Sequence, residues 1–88
     1  MTAMRFWGKL KIEDRIIRDL VQEEKELSGA LESLCNRFDI GKPIVCDKHA
    51  YELSEFRRTV FYPDDFIEAV DFDTFEIEII DKQKNKSV

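Results

Sequence analysis

The chain has 88 residues, 43% of them apolar and 38% charged, and a net charge of −5. That length makes one domain, which buries roughly 60–65% of the surface its unfolded form exposes. Two prolines and three glycines argue against disorder and against a repeat of short strands and tight turns, and no apolar run approaches the ~18–20 residues of a membrane helix.

The first residues, Met1-Thr2-Ala3-Met4-Arg5-Phe6-Trp7, lack the apolar core and small-residue cleavage site of a secretion signal. A cytoplasmic protein is therefore expected, with Cys35 and Cys46 as reduced thiols. Their spacing permits a disulfide, but the compartment argues against one.

In chain order, Phe6, Gly8, Leu10 and Ile12 alternate with Trp7, Lys9 and Lys11. A period of two predicts a half-buried strand. Gly8 within it marks a bulge or a close approach of another segment. Glu13-Asp14 is polar enough for a turn, although it is not the Asn-Gly or Asp-Gly pair typical of hairpins. From Arg15 to Gln22 the pattern is double. Ile16, Ile17, Leu20 and Val21 suit a second strand or the start of one long helix from Glu13 to Phe38. The strand is preferred, because the helix would be overlong without an internal cap and β-branched in its first turns.

Leu27, Ala30, Leu31, Leu34 and Phe38 form one stripe at helical spacing. A main helix over about 24–38 is expected, with Glu23, Glu24 and Glu26 at its positive end, Arg37 at its negative end, Gly41 as the left-handed closing residue and Pro43 barring continuation. Ile44-Val45 reads as extended. Asp47 stands as the N-cap of a further helix carrying Tyr51, Leu53 and Phe56. Thr59 to Tyr62 reads as a short strand. Pro63-Asp64-Asp65 starts a helical turn anchored by Phe66 and Ile67. Thr74 to Asp81 alternates cleanly, with Phe75, Ile77 and Ile79 on one side and Glu76, Glu78 and Ile80 on the other. The expected fold is a two-layer α+β domain spanning 1–81. A small antiparallel sheet of three or four strands, beginning with an N-terminal hairpin, packs on the one main helix. A mobile Lys-rich tail, 82–88, follows.

Three features carry candidate chemistry. Cys46 and His49 have a C-x2-H spacing, with Cys35 eleven residues earlier. A structural zinc site needs four ligands, usually in two close pairs, and here there is one pair and a stray. Cys46 just before a helix could instead be an activated thiolate with His49 as base, but no third residue orients the pair. The preferred reading is plainer: a strand end, an N-cap at Asp47, an exposed Lys48 and a helix-surface His49. The second feature is charge segregation. Residues 1–62 hold eleven acids and eleven bases, whereas residues 63–81 hold eight acids and no base. Asp71, Asp73, Glu76 and Glu78 lack the glycine of an EF-hand loop. They read as the solvated side of an edge strand, or as an acidic docking surface for a basic partner. The third is Trp7, which should face away from the core and can anchor an interface.

Phosphate loops, dinucleotide-binding glycine patterns and serine elbows are absent from the sequence. No cofactor is expected. The preferred reading is a non-enzymatic module that binds a protein partner or itself through Trp7, Asp71, Asp73, Glu76 and Glu78, with neither nucleic acid nor membrane as partner. The alternative is a metal-binding or thiol-based small enzyme using Cys46 and His49.

Overall fold

A computed structural model describes residues 4–80. Asp81 and the tail 82–88 lie outside the described residues, so the domain limit at 81 and the tail's expected mobility do too. Strand β1 (Met4–Ile12) and strand β2 (Arg15–Glu24) form the N-terminal hairpin, and helix α1 (Leu27–Phe38) follows. Helix α2 (Asp47–Phe56), strand β3 (Arg58–Phe61), a 3-10 turn (Pro63–Asp65) and strand β4 (Thr74–Ile80) complete the domain. The four strands make one antiparallel sheet in the order β2-β1-β4-β3. The two-layer α+β architecture is as expected, with two helices on the sheet rather than one.

The hairpin turns through Glu13 and Asp14, both at positive φ (51° and 69°). Such a pair matches the right-handed twist of the strands but is costly for residues with a Cβ. The carboxylate of Asp73 offsets that cost by accepting the Glu13 N–H at 2.7 Å.

Phe6 and Leu10 of β1, Phe61 of β3 and Phe75 and Ile77 of β4 point to one face of the sheet. There they join Ala30, Leu31, Leu34, Cys35 and Phe38 of α1 and Leu53 of α2 in a single core. Gly8 is small because α1 comes close: a Cβ there would stand 2.9 Å from Leu34 Cδ1. Arg18 of β2 donates to the carbonyl of Phe38 at 3.0 Å, tying the end of α1 to the hairpin.

Several local expectations are corrected. Glu23 and Glu24 belong to β2, because the ladder to β1 runs on to Met4↔Glu24, so α1 starts at Leu27 with no acid in its first turn. Asp39, at φ 65°, closes α1, whereas Gly41 keeps negative φ. Cys46 rather than Asp47 is the N-cap of α2. Ile67 is not an anchor but 82% exposed. Strand β4 is not an edge: it lies between β1 and β3, and the free edges belong to β2 and β3.

Candidate functional site

Cys46 and His49 are neighbours through the backbone, not through their reactive atoms. His49 is fully buried and its ring stacks on Phe61 at 4.2 Å between centroids, whereas Cys46 is exposed. His49 Nδ1 accepts the N–H of Cys46 at 2.9 Å. That bond fills the lone pair a metal or a thiol proton would need and leaves the proton of a neutral ring on Nε2. Nε2 points towards Asp65 Oδ2 at 3.6 Å, beyond hydrogen-bond range. Cys35 is shut in the core, and burial pushes its thiol up from 9.0 to about 11, against a lesser opposite pull from Lys42. Among the described residues no group of three or more His, Cys, Asp or Glu side chains could hold a metal ion.

The side of the sheet away from the helices carries Trp7, Glu76 and Glu78. Glu76 is 5% exposed and meets Lys11 Nζ at 2.9 Å, Arg58 Nη1 at 3.4 Å and Lys9 Nζ at 3.8 Å. Burial pulls its carboxyl up, but the Lys11 hydrogen bond and the Lys9, Lys11 and Arg58 charges together hold it below the usual value. Glu78 accepts from Lys9 at 2.9 Å. The indole N–H of Trp7 donates to Asp19 at 2.9 Å, and Lys9 Nζ lies 3.9 Å from the ring centroid. Asp73 clamps the hairpin turn from the loop before β4, and Asp71 is exposed in the same loop. The five residues singled out from sequence thus fall into two groups. Among the described residues, all but Asp71 already have partners.

A groove that sequence reasoning missed runs along the β3 edge. Arg57, at φ 65°, ends α2 and turns the chain at once into β3. This sharp turn leaves Phe56 64% exposed, near Tyr62 at 50%. Between α2 and the edge lies an open groove of roughly 600 Å³, lined by Lys48, Glu52 and Phe56 from the helix and by Arg58, Val60 and Tyr62. The Ile79 N–H donates to the carbonyl of Arg57 at 2.8 Å. Antiparallel ladders alternate, so Thr59 and Phe61 turn their backbone groups to β4 while Arg58 and Val60 turn theirs to the free edge. The only sequence signal was an aromatic residue on each side of a short strand. Comparison with family models, curated proteins and solved structures finds no match for this chain.

Proposed function

We propose that this chain is a protein-binding module without catalytic activity of its own, acting in a reducing compartment where Cys35 and Cys46 stay free. The observation that carries it is the exposure of Phe56 and Tyr62 on either side of an unpaired strand edge. Aromatic side chains are enriched at binding hot spots. The imidazole and the buried thiol, by contrast, are engaged in holding the fold.

Cross-linking in the protein's own cells tests this. The wild-type chain should capture a partner band that a Phe56→Ser, Tyr62→Ser double variant loses. The same band from both would move the interface to the open face of the sheet around Trp7. No band from either would defeat the proposal.

A further inference from the structure

We infer that the groove between the β3 edge and α2 takes an extended, acidic peptide segment by strand addition. The inference rests on the protein-binding role proposed above and specifies its partner. Arg58 and Val60 each offer an N–H and a C=O at the free edge, and only another extended backbone matches that row of donors and acceptors.

The two edges of the sheet differ in what they invite. Since Thr59 and Phe61 face β4 and the alternation carries through β4 and β1, the outward residues of β2 beyond its register shift are Asp19, Val21 and Glu23. Two of these three are carboxylates, and the β1–β2 register shifts at Leu10/Lys11. Charges and bulges on an edge discourage pairing. The outward pair on β3, Arg58 and Val60, has no bulge and no carboxylate, and its one charge is a cation.

The charges of the groove favour acidic side chains. Its two carboxylates are half-buried and hydrogen-bonded, whereas its two cations, Lys48 and Arg58, are exposed: Glu52 accepts from the Thr59 hydroxyl at 2.7 Å, and Glu78, at the groove's rim, from Lys9. Its cations keep donors to spare. Lys48 Nζ lies 6.0 Å from the Tyr62 ring centroid, and exposed Arg58 touches Glu76 through one nitrogen at 3.4 Å. A strand laid here would set alternate side chains towards Lys48 and Phe56 and the others beside Arg58 and Val60. The fitting segment alternates Asp or Glu with β-branched or aromatic residues and has no central proline.

The test is selection of short random peptides, displayed as a library, against the full chain. Enriched sequences should show that pattern. Val60→Pro removes one outward N–H while leaving the β3–β4 ladder its bonds, because proline is tolerated on an edge with its nitrogen facing out. It should weaken the selected peptides at least about tenfold. In the unaltered protein, the bound peptide should slow amide hydrogen exchange at Arg58 and Val60 but not at Asp19, Val21 or Glu23. No enrichment, equal binding by Val60→Pro, or protection on β2 would overturn the inference. A cross-linked cellular partner that Val60→Pro retains would overturn strand addition and leave the protein-binding role standing.

Discussion

Lys9 and Glu76 stand directly opposite each other in the β1–β4 ladder, each 5% exposed, on the face of the sheet that neither helix covers. Charges are seldom so enclosed unless they are paired. Here the pairing is shared: Lys11 and Arg58 complete the shell of Glu76, and Glu78 and the Trp7 ring complete that of Lys9.

Glu76→Gln should lower stability by about 1.5–3 kcal/mol at neutral pH, the range for a hydrogen bond to a charged group. The folded-state carboxyl titrates below its ordinary 4.5. Its contribution is therefore fully present above pH 4.5 and lost as the pH falls through the folded-state value. Urea melts followed by Trp7 fluorescence should show a shallower acid-side loss in the variant than in wild type. Equal slopes would mean that the network is not a source of stability.

The contact of Gly8 with Leu34 predicts a coupled pair. A Cβ at Gly8 would meet Leu34 Cδ1 at 2.9 Å and the Phe75 ring at 3.2 Å, inside a fully buried cluster. Gly8→Ala should cost about 1–3 kcal/mol, as overpacking does. Combined with Leu34→Ala, which frees the space, it should cost less than the sum of the two single changes. Thermal melts of the three variants measure the coupling, and strict additivity would place the strain elsewhere.

Much of this architecture was legible because it is local. The alternation of Phe6, Gly8, Leu10 and Ile12 and of Phe75, Ile77 and Ile79 defined two strands, and the stripe from Leu27 to Phe38 defined α1. The identity of β2 was not local: Ile16, Ile17, Leu20 and Val21 suit either period, and pairing with β1 decides for the strand. The central place of β4 depends on strand order, which alternation does not encode. This is why Glu76 and Glu78 read as solvent-facing acids, although Lys9, Lys11 and Arg58 enclose Glu76 and Lys9 pairs with Glu78. The β3 groove was hidden for a similar reason. The outward swing of Phe56 depends on the left-handed backbone at Arg57, a residue with no compositional turn signal.

The two cysteines should differ sharply in reactivity. Cys46 is exposed, and Cys35 is buried with its thiol raised to about 11. The thiolate is the reacting form, so an alkylating reagent at pH 8 should label Cys46 promptly and Cys35 only on unfolding. The raised value also means that the benefit of a neutral buried thiol holds below pH 9.0 and is lost as the pH rises through about 11. Wild type should therefore lose more stability than Cys35→Ala across that interval. Rapid native labelling of Cys35, read by peptide mass, would contradict its enclosure.

His49 predicts the most specific signature. Because Nδ1 accepts the Cys46 N–H, a neutral ring must carry its proton on Nε2. Nitrogen-15 chemical shifts of the imidazole should show a bare Nδ1 and a protonated Nε2. His49→Phe keeps a ring to stack on Phe61 but deletes the acceptor at the start of α2, so it should cost about 1 kcal/mol, as loss of a cap does. His49→Ala deletes the ring as well and leaves a hole in the packing, and should cost about 2–4 kcal/mol. That ordering separates the histidine's two roles. Equal losses would assign its whole contribution to the bond with Cys46, and a protonated Nδ1 would remove that bond altogether.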